Sequence, residues 1–250
     1  MRVATYNVRT LSALDWQSFW WRRRRRLAAA IVDVGGELWG LQEVRQSQLR
    51  WLRRAALTGP WVALGTGRNA SGGGEASPVL ARTDHLRVLR AATRWYGDDP
   101  DRPGTRLPGA RAPRIATIAE LVLRDGGHEL VVVNTHLDEA SEVRRHASTM
   151  QLAAWLAEIR GGRSLVVLGD LNCRLDEPPM RPLLDLGLHP ALTPADGPTS
   201  NGFGDPAHQH QIDHVLVSPD LTVTASSIRR DCGLASDHWP VVVDLAPPAP

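Results

Sequence analysis

The chain has 250 residues, 42% hydrophobic and 22% charged, with a formal charge of +2. This length can bury a sizeable core, and the composition excludes a disordered, collagen-like or coiled-coil chain. All 29 basic residues are arginine, which excludes Schiff-base lysine chemistry and a lysine phosphate loop and leaves cationic anion contacts to guanidinium groups.

Residues 2–8 alternate as a strand. Trp20, Leu27, Ala30, Ile31 and Val34 recur at helical spacing until Gly35-Gly36 stops them. Residues 38–42 predict a strand ending beside Glu43, and residues 46–57 a helix. A glycine-rich loop over 65–74 leads to a short strand at 78–81, and a loop rich in Pro, Gly and Asp covers 94–113. Strands follow at 115–123 and 129–134 around Asp125-Gly126-Gly127, then a helix over 142–159 closed by Gly161-Gly162. The apolar run 164–169 suits a central strand. A short helix is expected at 182–188, with late strands at 211–218 and 241–245. Helices and strands mix without a linker, so one α/β domain is expected over 1–246, followed by a frayed proline-rich tail at 247–250.

Two cysteines, Cys173 and Cys232, cannot build a disulfide framework and are expected to be reduced. No apolar run approaches the roughly 18 residues of a membrane span, and no signal-peptide core precedes the first strand. The expectation is a cytoplasmic chain with no obligate protein partner.

Polar residues cluster where apolar strands stop: Asn7, Glu43, His136, Asp170, Asn172, Asp213, Asp237 and His238. Each taken singly is most simply a turn residue or a satisfied core group. If the strand ends share a rim, Glu43, Asp170, Asp213 and Asp237 could not all stay ionised without a cation. All-oxygen donors favour Mg²⁺ or Mn²⁺, and metal with carboxylate-paired histidines is equipment for phosphoryl chemistry.

Six segments occur in order: Thr5-Tyr6-Asn7-Val8-Arg9, Leu41-Gln42-Glu43-Val44, Asn134-Thr135-His136-Leu137-Asp138, Gly169-Asp170-Leu171-Asn172, Ile212-Asp213-His214-Val215-Leu216 and Ser236-Asp237-His238-Trp239-Pro240-Val241. With these the chain resembles the endonuclease/exonuclease/phosphatase superfamily over about residues 2–245; by Gly74-Glu75-Ala76-Ser77-Pro78, Pro113-Arg114-Ile115-Ala116-Thr117 and Asn201-Gly202-Phe203-Gly204 it is most similar to the small uncharacterised bacterial members. The resemblance implies a four-layered α/β sandwich, two packed mixed sheets flanked by helices, with the site on one rim. It implies a Mg²⁺-dependent hydrolase (Mn²⁺ as alternative) that directs water at the phosphorus of a phosphodiester, a nuclease first, or of a phosphomonoester. DNA and RNA are therefore candidate substrates.

By the same resemblance, Asn7, Glu43 and Asp237 are metal-site residues, with Glu43 the principal ligand. Asp170 and Asn172 activate and orient water, with Asp170 and His238 both open as the base. His238 pairs with Asp213, and His136 contacts the scissile phosphate and protonates the leaving oxygen. Glu75 is similar to a carboxylate that orients that histidine, and Arg114 to a phosphate-contacting arginine. Asn201 and Trp239 join the expected substrate-binding set, and Trp95 is a further stacking candidate.

Other features admit plainer readings. Arg22–Arg26 reads first as a solvated helix start, with Arg23 or Arg24 forced by its place on the apolar seam to snorkel or find an acid. His208, His210 and His214 read as a substrate-lining loop ahead of a second metal site. The competing functions are a sphingomyelinase-like lipid phosphodiesterase, a small-metabolite phosphatase and a non-catalytic binding module.

Overall fold

The computed structural model describes residues 1–11 and 19–248. The last two residues of the expected tail thus lie outside the described residues. In chain order the elements are β1 (Arg2–Asn7), α1 (Trp20–Val34), β2 (Leu38–Gln42), β3 (Val44–Arg45), α2 (Gln46–Ala55), β4 (Trp61–Leu64), β5 (Glu75–Ala76), β6 (Val79–Arg82) and β7 (Leu86–Trp95). They continue with β8 (Ile115–Leu123), β9 (Glu129–His136), α3 (Glu142–Ile159), β10 (Ser164–Asp170), α4 (Arg181–Leu184), β11 (His189–Pro190), β12 (Asp213–Val217), β13 (Thr222–Ile228) and β14 (Val241–Ala246).

The strands form two six-stranded sheets, ordered β13-β14-β1-β2-β6-β4 and β11-β12-β10-β9-β8-β7, with β3 and β5 as a small separate ribbon. Both large sheets are mixed: β1 runs parallel to β2, β9 runs parallel to β10, and the other pairings within them are antiparallel. Alternation explains the layering. Val3, Leu38, Val132, Val166, Leu168 and Val243 face inward and form the core between the sheets. Their strand neighbours Tyr6, Trp39 and Leu41 face outward against Leu27, Ile31 and Leu52 of α1 and α2. On the second sheet Val131, Val133 and Val167 pack against Leu152, Trp155 and Leu156 of α3. The result is the expected four-layered α/β sandwich.

Two glycines are required by close approach. A Cβ on Gly40 would lie 1.8 Å from Leu168 Cδ1, so a larger residue would push the two sheets apart. A Cβ on Gly169 would lie 2.0 Å from the Thr135 carbonyl oxygen, where β9 and β10 meet.

Between the sheets a buried polar junction takes the place of hydrocarbon. Asn134 Nδ2 donates to the carbonyls of Leu41 (2.9 Å) and Pro78 (2.7 Å), and its Oδ1 accepts from Gln42 Nε2 at 2.6 Å. Gln42 Nε2 also reaches Thr5 Oγ1 at 2.9 Å. Asn134→Ala leaves these groups buried and unmatched, and should cost about 2–4 kcal/mol in a urea titration.

His214 shows the other buried polar device. Its Nε2 lies 2.8 Å from the Cys173 carbonyl oxygen, and burial holds its pKa below the ordinary value of 6.5. In the unfolded chain this ring gains its proton near pH ~6.5. Its contribution to stability is therefore complete above that pH and is lost as pH falls. The urea midpoint should drop between pH 7 and 5, and His214→Gln should show a shallower drop; an unchanged slope would refute this origin.

Candidate active site

Alternation that buries apolar side chains between the sheets ends, at one rim, in polar ones. On β1 the inward series is Val3, Thr5, Asn7; on β9 it is Leu130, Val132, Asn134, His136; on β10 it is Val166, Leu168, Asp170. Register then brings the ends together. His136 is the partner of Asp170 across β9–β10, and Asp213 its partner across β10–β12.

Asp170 is the centre of the cluster and is 2% exposed. Its Oδ1 accepts the Asn172 N–H at 3.0 Å, and its Oδ2 accepts Asn7 Nδ2 at 2.9 Å. His136 Nε2 stands 3.6 Å and His238 Nε2 3.8 Å from the same Oδ2. Burial, reinforced by the Asp213 charge, pushes the Asp170 carboxyl up to about 7. His238 Nδ1 donates to Asp213 Oδ2 at 2.7 Å, and that oxygen also accepts from Thr199 Oγ1 at 2.7 Å. Burial opposes the imidazolium of His238, but Asp213 and Asp170 outweigh it and hold the ring well above the usual range. His136 goes the other way: burial, then the Arg114 and Arg68 charges, hold it well below.

The first sheet supplies the facing half. Asn7 Nδ2 also donates to Glu43 Oε1 at 3.1 Å, while Glu43 Oε2 accepts the Thr10 N–H at 2.8 Å. Arg9 Nη1 pairs with Asp237 Oδ2 at 2.9 Å. Among the described residues the non-glycine ones in left-handed backbone are Arg9, Glu43, Asn172 and Phe203, and all four border this region. Such backbone costs about 1–3 kcal/mol per residue and persists where the surroundings enforce it. At Arg9 the enforcement is visible: its carbonyl accepts from Arg23 Nη2 on α1 and from Gln48 Nε2 on α2. Arg23, only 3% exposed, also donates to Val8 O and, at 3.4 Å, to Ala235 O. It thus satisfies backbone carbonyls on both sides of the rim, while Arg24 lies over the rings of Trp21 and Trp51.

Glu43, Asp170 and Asp237 bring carboxylate oxygens to this rim, the donor type a hard divalent cation takes, and the Asn7 amide nitrogen donates to the first two. The Asp170–Asp213–His238 group also gathers its ligand atoms within 4.8 Å, but the short His238–Asp213 hydrogen bond already uses it internally.

The remaining expected residues divide. Arg114 is beside His136, with Nη2 3.9 Å from Glu139 and a buried Nη1 that has no partner. Glu75 lines the same cleft but pairs with Arg68 at 2.7 Å; no hydrogen bond joins it to His136 among the described residues. Asn201 is fully buried, its amide spent on Phe203 N and Ser236 O, so it shapes the wall without facing the cavity. Trp239 donates to Gly233 O, is covered by Arg230 and does not line the cavity. Trp95 is 5% exposed and donates to Arg68 O, which corrects the expectation that it could stack on substrate. His208 and His210 do line the cavity, whereas His214 is turned to Cys173. Arg68 was missed: it sits in the glycine-rich loop, where no periodicity marks it.

A family model described as Endonuclease/Exonuclease/phosphatase family matches residues 4–238. The chain belongs to this family. A family member from Bacteroides vulgatus shares 28% identity at a TM-score of 0.88, with 98% of each chain covered. A mannosyl-6-phosphatase from Bacteroides thetaiotaomicron shares 25% identity at a TM-score of 0.86, covering 98% of this chain and 99% of that one. The fold also matches D. rerio TDP2 complexed with single strand DNA product, at 16% identity, a TM-score of 0.69 and 98% of each chain. No match is found among the curated proteins. Family members act on phosphate esters, and no described helix is long and apolar enough to cross a membrane.

Arg23→Met should lower the melting temperature by several degrees and kcat by at least ~10-fold, because Val8, Arg9 and Ala235 lose their buried donor. Arg24→Met, at a half-buried ring stack, should lower the melting temperature by less.

Proposed function

We propose that the protein is a divalent-metal-dependent hydrolase that directs water at the phosphorus of a phosphate ester. The observation that carries this reading is a buried carboxylate, Asp170, set between two histidines and bonded to the amides of Asn7 and Asn172. Asp170 accepts the proton of the attacking water, and Asn172 orients it. His238, kept protonated and aligned by Asp213, binds the phosphoryl oxygens and delivers a proton to the leaving oxygen. His136 is assigned phosphate contact alone: burial beside Arg114 and Arg68 disfavours the charged ring that a proton donor needs. This departs from the donor role that the resemblance implies for it.

Glu43, Asn7 and Asp237 would hold Mg²⁺ or Mn²⁺, which when bound supplies charge neutralisation for the phosphoryl group. Arg114 brings its unpartnered Nη1 as the guanidinium for a phosphate oxygen. The proposed catalytic unit spans 1–246. Cys173 and Cys232 are both free thiols, which suits a reducing compartment, and a cytoplasmic location is part of the proposal.

A nuclease is the second reading, and one observation favours it. Arg24 lies 4.3 Å from the Trp21 ring centroid and 5.1 Å from that of Trp51, an arrangement of cation and aromatic faces that suits phosphates and bases of a single strand.

Asp170→Asn and His238→Ala should each reduce kcat by at least ~10³-fold with little change in melting temperature. EDTA should abolish turnover and added Mg²⁺ restore it. Activity that persists in EDTA, or near-wild-type turnover by either variant, would defeat the proposal.

A further inference from the structure

The space on the two sides of Asp170 is unequal. Beside His238 opens a cavity of about 730 Å³, bordered by Arg9, Phe203, Asp205, His208 and His210. Beside His136 there is a cleft of only about 10 Å³, walled by Glu43, Arg68, Glu75, Pro113 and Arg114. The first could take a nucleoside or a sugar; the second holds about one water.

The narrow side holds two guanidinium groups, Arg68 and Arg114, beside the carboxylates of Glu43 and Glu75. Arg114 keeps a buried Nη1 with no partner. Arg68, with a side chain 20% exposed, is held beside it by the Glu75 carboxylate at 2.7 Å, and its backbone is fixed through Trp95 Nε1 at 2.7 Å. A phosphodiester carries two organic substituents and one negative charge. A terminal phosphate carries one substituent and, at neutral pH, close to two negative charges. One roomy side and one closed side that offers the unpartnered Arg114 guanidinium nitrogen, with the Arg68–Glu75 pair beside it, match the second description.

We infer that the site is built for phosphomonoesters: the single organic group occupies the His238 cavity, the terminal phosphate faces Arg114 and Arg68, and Arg68 is a residue that determines this choice. The inference rests on the phosphate-ester reading above and names its substrate class. Glu75 is in turn a positioning residue for Arg68, keeping the guanidinium at the wall. The step itself balances simply: water adds to phosphorus, the phosphorus–oxygen bond to the alcohol breaks, and alcohol and inorganic phosphate leave.

The test has two readouts on the Mg²⁺-loaded protein. Calorimetry with inorganic phosphate reads the cradle without turnover, and Arg68→Met should weaken that binding at least ~10-fold. Steady-state rates on p-nitrophenyl phosphate and bis(p-nitrophenyl) phosphate read the choice. Wild type should favour the monoester, and Arg68→Met should lower the monoester/diester ratio of kcat/KM at least ~10-fold, chiefly through KM. Arg68→Met/Glu75→Gln removes the carboxylate left unpaired, and should show the same change in a protein that melts near wild type. A wild-type preference for the diester, or phosphate binding and a ratio unmoved by both variants, would overturn the inference. Phosphate binding that depends on Arg68, without hydrolysis of either ester, would instead defeat the hydrolase reading and leave the cradle standing.

Discussion

The site depends on how two sheets are held at one height. Asn134 is the central fastening: from β9 it reaches across to the carbonyls of Leu41 and Pro78 and to the Gln42 amide. Gln42 directly precedes Glu43, and Asn134 lies two residues before His136. The same contact that binds the sheets therefore sets the height of one side chain from each. Apolar interdigitation alone is non-directional and would tolerate sliding. A buried polar junction with several bonds across the sheets does not, because a shifted register would strand several donors and acceptors at once.

A division of labour follows from that fastening. The second sheet contributes His136, Asp170 and Asp213, adjacent by strand register. The first contributes Asn7 and Glu43, with Asp237 and His238 arriving just ahead of β14. Asn7 spans the seam, donating to Glu43 on its own side and to Asp170 on the other. The strained backbone at Arg9, Glu43 and Asn172 is concentrated at this seam, where helices α1 and α2 brace it from behind through Arg23 and Gln48. Arg23 also shows a buried guanidinium donating to backbone carbonyl oxygens on both sides of the rim.

What the sequence made legible was the inside of each sheet. The strands β2, β8 and β10 carry apolar residues because both faces are covered, and their ends carried the motif residues. Within the two large sheets the strands that went unread were β4, β7, β11 and β13, which are their four edges. Edge strands have less to bury: β7 and β13 are largely exposed, and β7 carries Arg87, Arg90 and Arg94. Their polarity hides them from a search for alternation while discouraging further strand pairing. Arg68 and the Glu75 pairing were invisible for a related reason. They belong to a loop whose shape only the tertiary structure defines; similarity to a family pattern set Glu75 beside His136, whereas its carboxylate pairs with Arg68. Asn201 and Trp239 illustrate the converse, since motif proximity put both near the substrate and packing turned their side chains elsewhere.

The placement of β14 has a consequence for how the molecule is made. β14 lies between β13 and β1, so the first strand of the chain waits for one of the last, with Arg2 opposite Asp244. While the chain emerges from the ribosome, β1 can zip to β2 but keeps its other edge open. Asp237 and His238 join the rim only when β14 fills that gap. Long-range pairing of this kind slows folding and leaves an adhesive edge during synthesis. It also means that the rim is incomplete until β14 is paired with β1, because Asp237 and His238 lie just ahead of that strand.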